Sequence, residues 1–134
     1  MKRILTFVLL FAVLMLTSCG VGAEFGNETA AMRSFLQGVD TEKEIEILVL
    51  DKYSAGRREV YYYVRWEYEG DAEENELLIV YNTKEKSAEI VTFEDLNGEE
   101  NVEIKAKWDE LKYARADRMF SPSEIQQIIS EAQS

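Results

Sequence analysis

Residues 59–69, EVYYYVRWEYE, predict a β-strand whose two faces both carry side chains suited to burial. Aromatic and β-branched residues dominate this stretch, and such residues favour strands. Because successive side chains of a strand point to opposite sides of a sheet, the stretch divides into two sets. The first set is Tyr62, Val64 and Trp66, and the second set is Tyr61, Tyr63 and Arg65. We therefore expect a sheet that is apolar on both faces.

The segment before this strand alternates in the same way and predicts its hairpin partner. A turn centred on Ala55-Gly56 gives three apolar cross-strand pairs on the first face: Val49 with Tyr62, Ile47 with Val64, and Ile45 with Trp66. The same register sets Lys52 against Glu59, a favourable pair of opposite charges. A slip of one residue would destroy the agreement between the two apolar faces.

The second face of the predicted sheet gains further apolar residues in this register. They are Leu48 and Leu50, opposite the two tyrosines, followed by Leu78, Val80 and Ile90. Tyrosine and arginine are enriched where proteins bind proteins, so Tyr61, Tyr63 and Arg65 are the candidate binding residues. Two arrangements remain open. Either the C-terminal helix covers this face and the N-terminal helix the other, or the face stays partly open to a partner.

Two more strands are predicted after the acidic loop of residues 70–75, with a polar turn at residues 82–87 between them. The first of these strands continues the first face with Leu77, Ile79 and Tyr81, and the second carries Val91 and Phe93. Asn97-Gly98 then gives a strong hairpin signal. A two-residue turn there predicts two apolar pairs: Phe93 with Val102, and Val91 with Ile104.

Residues 102–108, VEIKAKW, are compatible with two structures. Strict alternation and the Asn-Gly register favour a fifth strand, which is our prediction. Ile104, Trp108 and Leu111 would also share one face of a helix. From Asp109 to Arg118 we expect a short helix or an irregular connection.

A helix is predicted near each end of the domain. For residues 28–37, Asn27 is a suitable N-cap and Gly38 a natural terminator; the apolar stripe is Met32, Phe35, Leu36 and Val39. For the C-terminal helix, Ser121, Pro122 and Glu124 give a capping box with proline in the first position; its stripe is Ile125, Ile128, Ile129 and Ala132. The prediction for residues 27–134 is a single α+β domain: a helix, a four- to five-stranded antiparallel meander sheet and a helix.

The start of the chain has the pattern of an export signal. Met1-Lys2-Arg3 is cationic, and residues 4–16, ILTFVLLFAVLML, contain only one polar residue. A helix needs about 20 apolar residues to span a bilayer, so this run is too short for a permanent membrane span. A positive start, a short apolar run and small residues after it are typical of a secretory signal peptide.

Leu16-Thr17-Ser18-Cys19 resembles the lipobox of bacterial lipoproteins. The resemblance implies cleavage between Ser18 and Cys19, a diacylglycerol on the Cys19 sulfur and acylation of the new amino group. Residues 1–18 would be the signal peptide and residues 19–26 a lipidated, glycine-rich tether. Two acyl chains hold a protein on a membrane, so we expect the cell membrane or the outer membrane. An ordinary signal peptide that ends in cysteine is the alternative.

Composition excludes several classes of function. Residues 1–18 hold two of the 15 basic residues and none of the 26 acidic residues, so the remainder has a formal charge of −13. Clustered Lys and Arg are needed to bind phosphates, so we expect no nucleic-acid partner. The chain has no His and one Cys, which excludes His-dependent nucleophiles, Cys/His zinc sites and an internal disulfide. The acidic runs at residues 67–76 and 95–101 do not fit an EF-hand. We therefore expect no catalytic residue, metal site or cofactor.

The leading hypothesis is a non-catalytic binding or assembly module, held on the membrane by the lipid on Cys19 and facing an envelope protein partner. The element order also loosely resembles cystatin-like and NTF2-like folds, and that resemblance implies a small-ligand pocket or an enzyme. A third hypothesis is an acidic inhibitor of a cationic envelope enzyme. The sequence leaves the partner, the membrane and the oligomeric state open.

Overall fold

A computed structural model of the chain describes residues 25–39, 43–71 and 73–134. In chain order the elements are α1 (Gly26–Gln37), β1 (Ile45–Ser54), β2 (Glu59–Tyr68), β3 (Asn75–Asn82), β4 (Ser87–Thr92), α2 (Phe93–Leu96), a 3₁₀ turn (Glu99–Asn101), α3 (Val102–Leu111), β5 (Arg118–Met119) and α4 (Pro122–Ala132). The predicted α+β class is confirmed. The predicted signal peptide and the lipobox with Ser18 and Cys19 lie outside the described residues. Within the described ranges, no helix has the length and apolar character needed to cross a membrane.

The five strands form one antiparallel sheet in the order β4-β3-β2-β1-β5, so the quoted stretch lies at its centre. Tyr62 pairs with Ile79 and Val64 with Leu77, which confirms that β3 continues the first face. The side chains of this face join the main core of the protein. The side chains of the second face contribute to a separate, smaller cluster.

The pairing of β1 with β2 differs from the prediction because β1 contains a bulge. Ile47 pairs with Trp66, but the register shifts before Val49, which pairs with Arg65. One extra residue in a strand reverses the side to which the following side chains point. Val49 therefore lies on the second face, and Leu50 lies on the first. The following predicted pairs do not form: Val49 with Tyr62, Ile47 with Val64, Ile45 with Trp66, and Lys52 with Glu59.

The predicted Asn97-Gly98 hairpin is also wrong. Such a turn needs positive φ at both central residues, whereas Asn97 has φ −83° and Gly98 has φ −77°. Thr92 ends β4 and caps α2, because its side chain accepts a hydrogen bond from the backbone N–H of Asp95 at 3.1 Å. The acidic residues that follow the cap stabilise a helix start. The chain therefore turns into a helix where the prediction continued a strand.

The predicted fifth strand at residues 102–108 is helical instead, as part of α3. The pairs of Phe93 with Val102 and of Val91 with Ile104 consequently do not form. The helical spacing of Ile104, Trp108 and Leu111 places these three side chains in the second-face cluster. Alternation and helical spacing coincide over so few residues that the sequence could not separate them. The fifth strand is β5, which pairs with the outer edge of β1.

Both α1 and α4 pack on the first face, so the first of the two arrangements left open, in which the C-terminal helix covers the second face, does not occur. Phe35 of α1 meets Trp66 edge to face at 5.4 Å between ring centroids. Arg33 of α1 donates hydrogen bonds to the carbonyl oxygens of Glu131 and Ala132 in α4. Phe120, which follows β5, is buried in the main core, so the chain leaves β5 toward the first face.

The helix ends follow local signals closely. Ser121 and Glu124 form the predicted capping box, with Pro122 as the first residue of α4. The first helix ends at Gly38 as expected, but it begins at Gly26 after Phe25, not after Asn27. Phe25 is buried against Phe120, so packing of that aromatic ring extends the helix beyond the polar cap.

A buried polar contact joins α1 to the sheet. The carboxylate of Glu28, 3% exposed, accepts a hydrogen bond from the hydroxyl of Tyr62. It also lies 3.1 Å from Nζ of Lys52. Lys52 reaches it because the bulge turns that side chain to the first face, opposite Tyr62. A carboxylate buried without such partners would be strongly unfavourable.

We expect Tyr62→Phe to lower the free energy of unfolding by about 1–3 kcal/mol, because buried Glu28 loses one of its two partners. Urea unfolding followed by circular dichroism measures the change. Tyr61→Phe is the matched control, since the Tyr61 hydroxyl has no hydrogen bond with any described residue. Its effect should stay below about 0.5 kcal/mol. Equal effects of the two variants would contradict a structural role for the contact.

Candidate binding surface on the second sheet face

The structure separates the three predicted binding residues by exposure. Tyr61 is only 2% exposed and packs in the second-face cluster, so its side chain cannot contact a partner directly. Tyr63 is partly exposed, and the side chain of Arg65 is 42% exposed. The accessible part of the predicted site is therefore Tyr63 and Arg65, with Tyr61 as their support.

The set of residues whose side chains lie on the second face differs in part from the prediction. Leu78 and Val80 lie opposite Tyr63 and Tyr61 as expected. Leu50 and Ile90 instead face the main core, because the bulge turns Leu50 and because Ile90 pairs with Ile79. Asp51 and Tyr53 take the positions opposite the two tyrosines, which had been assigned to Leu48 and Leu50. The face is consequently more polar and more aromatic than the sequence indicated.

Trp108 of α3 covers the middle of this face, and the sequence did not identify it as part of the site. Its ring stacks on Tyr63 at 5.8 Å with an interplanar angle of 11°. It also meets Tyr53 edge to face at 5.2 Å and Phe93 at 6.3 Å. The spacing of Ile104, Trp108 and Leu111 was the signal that could have found it. Trp108 is 7% exposed, whereas Tyr53, Tyr63 and Phe93 around it are only partly buried, so the cluster keeps an accessible rim.

Polar side chains surround Tyr63 and Arg65 near the end of the second face. The Tyr63 hydroxyl donates to Glu76 Oε2 at 2.5 Å and accepts from Arg65 Nη2 at 3.1 Å. Arg65 Nε lies 3.7 Å from Glu74 Oε2. A shallow recess of about 150 Å³ opens beside these groups, lined by Arg65, Glu74, Asn75 and Glu76. These contacts restrict the aromatic ring of Tyr63 and the guanidinium of Arg65.

The surroundings of Tyr63 and Arg65 favour the protonated form of both side chains. Partial burial, together with the hydrogen bond to Glu76, raises the pKa of Tyr63 above its usual value. The hydrogen bond to Tyr63 is the main cause that raises the pKa of Arg65. Burial also raises the pKa of Asp51, and the charge of Arg65 partly offsets that rise. At neutral pH the surface therefore presents a neutral phenol and a cationic guanidinium beside carboxylates.

These groups suit recognition better than bond-making chemistry. A cation and two carboxylates around a shallow recess can pair with both signs of charge on a protein surface, whereas the carboxylates would repel a small anion. In the described part of the chain, no group of three or more acidic or thiol side chains is placed to hold a metal ion. Comparisons with protein families, with curated proteins and with solved structures found no match to this chain.

The burial of Tyr61 gives a pH-dependent expectation. Burial raises its pKa to about 12, against about 10 in an unfolded chain. The folded state favours the neutral phenol of Tyr61. The contribution of this phenol to the free energy of unfolding is therefore complete below about pH 10 and is lost as the pH rises toward 12. Tyr61→Phe should therefore reduce the alkaline loss of stability by up to about 1.4 kcal/mol per pH unit.

Urea unfolding at several pH values between about 9 and 11 measures this loss, which begins near the pKa of an unfolded tyrosine. Tyr113→Phe is the matched control, since Tyr113 is 85% exposed. It should leave the pH dependence at its wild-type value. The same pH dependence in Tyr61→Phe and in the wild type would argue against the burial of this phenol.

Proposed function

We propose that this chain is a lipid-anchored bacterial lipoprotein whose domain binds a protein partner at the cell envelope without catalysis. The anchor is supported by the sequence Leu16-Thr17-Ser18-Cys19, which resembles a lipobox. The binding role is supported by one observation above all. Tyr63 and Arg65, held in place by buried Trp108, form an accessible aromatic and cationic surface on a sheet face that is only partly covered.

The composition of this surface matches that of protein interfaces. Tyrosine, tryptophan and arginine dominate the residues that carry most of the binding energy in such interfaces. Stacking on Trp108 and the hydrogen bond to Glu76 already restrict Tyr63. A side chain held in this way loses little conformational entropy when a partner binds, which favours affinity. The flanking carboxylates form a polar rim.

A small-ligand pocket has less support. In cystatin-like and NTF2-like folds, which the element order loosely resembles, a pocket would lie between the helix and the sheet. Here Met32, Phe35 and Ile128 fill the first face and are almost completely buried. The recess beside Arg65 measures about 150 Å³, whereas ligand pockets usually have about 300–1,000 Å³.

An acidic inhibitor of a cationic envelope enzyme is the second candidate, and one observation favours it. Residues 69–74 and 93–101 contain eight acidic residues and no basic residue. Both segments lie at the end of the sheet where β2 and β4 finish. Binding that depends mainly on this charge should weaken strongly in roughly 0.5 M salt, because the ions screen it. Binding through the aromatic ring of Tyr63 should persist there.

The lipid anchor is tested by the mass of the product purified from its native membrane. We expect a mass above that of the peptide starting at Cys19, by the amount of a diacylglycerol and an acyl chain, and partition into a detergent phase. Cys19→Ser should abolish the added mass. A wild-type product with the bare peptide mass, or one that stays wholly in the aqueous phase, would refute the anchor.

The binding surface is tested by cross-linking in the native cell, followed by mass spectrometry. We expect Arg65→Ala to lower the yield of a cross-linked partner at least about fivefold, which corresponds to about 1 kcal/mol. Gln126→Ala is the control, because Gln126 is an exposed residue of α4 in the helix layer on the opposite side of the sheet. Both variants should keep the wild-type urea midpoint. Recovery of the same proteins in the same yield from Arg65→Ala would show that the surface is not the binding site.

A further inference from the structure

The two ends of the sheet are made by different segments of the chain. β1 and β3 finish at one end, so the connections at residues 55–58 and 83–86 lie side by side there; the N–H of Thr83 donates to the Arg58 carbonyl at 2.8 Å. Residues 112–119 join this end, where the backbone N–H of Ser54 donates to the Asp117 carboxylate at 2.8 Å. We call these three segments together the basic end.

Charge is distributed very unevenly between the ends of the sheet. The basic end has seven basic residues, Arg57, Arg58, Lys84, Lys86, Lys112, Arg115 and Arg118, and two acidic residues, Glu85 and Asp117. Five of the seven, all except Lys112 and Arg118, form no ion pair with any described residue. At the opposite end, residues 69–74 and 93–101 have eight acidic and no basic residues, and residues 43–44, which lie at the same end, add Lys43 and Glu44. A chain with a net charge of −11 therefore keeps a cationic surface at one end.

Two large apolar side chains protrude from the same end. Tyr113 is 85% exposed and Met119 is 69% exposed. Nζ of Lys112 lies 5.2 Å from the centroid of the Tyr113 ring. Exposed aromatic and apolar side chains among cations are typical of protein surfaces that lie in the headgroup region of a bilayer.

The chain also enters the domain at the basic end. Phe25, the first described residue, has its ring 6.1 Å from that of Phe120 and 5.3 Å from the guanidinium carbon of Arg118. Cys19 precedes Phe25 by six residues, so the two α-carbons can be at most about 22 Å apart. A lipid on Cys19 therefore holds the bilayer surface close to this end of the sheet.

We infer that the basic end docks on a bilayer surface rich in anionic phospholipids. Its Lys and Arg side chains contact lipid phosphates, and Tyr113 and Met119 enter the interfacial region. The inference rests on the proposed lipid anchor for bringing the domain to the membrane, whereas the orientation follows from the charge distribution. An anionic surface attracts the basic end and repels the acidic one. The recess beside Arg65 then faces away from the membrane.

Single-cysteine variants test this orientation, because the only native cysteine is Cys19, which carries the lipid in the proposed protein. The lipidated full protein is prepared as Tyr113→Cys, Met119→Cys and, at the acidic end, Asn97→Cys as the matched control. Each carries a fluorophore on the new thiol and is reconstituted into phosphatidylcholine vesicles with about 30% phosphatidylglycerol, which supply the negative surface. Quenching by aqueous iodide measures exposure to water.

We expect vesicles to lower quenching at positions 113 and 119 at least threefold and to leave position 97 unchanged. The protection should disappear in vesicles of phosphatidylcholine alone, and in a background of Arg57→Glu with Arg115→Glu, while the protein still floats with the vesicles. Protein that floats but is quenched equally at all three positions would overturn the docking inference and leave the anchor intact. Protection that persists without phosphatidylglycerol would overturn the role of anionic lipid.

Failure of the anchor gives a different result. The protein would then have the bare peptide mass and would not float with phosphatidylcholine vesicles. Salt-sensitive binding of that unlipidated protein to phosphatidylglycerol vesicles, with protection at positions 113 and 119, would still support the docking inference. If the unlipidated protein does not bind these vesicles, the docking inference fails together with the anchor.

Discussion

The bulge in β1 between Ile47 and Val49 is the constraint on which both sides of the sheet depend. After it, Leu50 and Lys52 face the main core, and Asp51 and Tyr53 face α3. Without it, Asp51 would lie opposite Tyr62, and its carboxylate would replace the ammonium group of Lys52 beside buried Glu28. Two carboxylates there would repel each other, and Leu50 would leave a void in the core. The shift of one residue therefore decides the charge balance and the packing of both faces.

The two faces are closed to different degrees, and this difference produces the candidate surface. On the first face, α1 and α4 pack against the sheet and against each other, and they bury its side chains almost completely. On the second face, the ten residues of α3 contribute one buried side chain, Trp108. One aromatic ring fixes Tyr63 by stacking but does not hide the phenol or the guanidinium of Arg65. The result is a rigid and accessible group of side chains.

The charge distribution gives the two proposals a common geometry. Cationic segments lie at the end where Phe25 enters, and acidic segments lie at the end that carries the recess beside Arg65. A domain tethered by a short segment would then have its membrane-facing and partner-facing surfaces at opposite ends of the same strands. The central strand β2 runs between them, and its length of ten residues, from Glu59 to Tyr68, sets the distance between the two surfaces.

The sequence by itself determined the elements whose signals are local and strong. These are the alternation of β2, the pairing of its first face with β3, the Ser121–Glu124 capping box and the α+β class. It also placed Tyr63 and Arg65 on the second face of the sheet. Only the tertiary structure decided the bulge, the helical state of residues 102–108, the burial of Tyr61 and the place of α4. Each of these depends on contacts between distant segments. The bulge is favoured by the packing that it allows on both faces of the sheet. Residues 102–108 become helical because Thr92 caps α2 and so ends β4, and because the helix lets Trp108 stack on Tyr63.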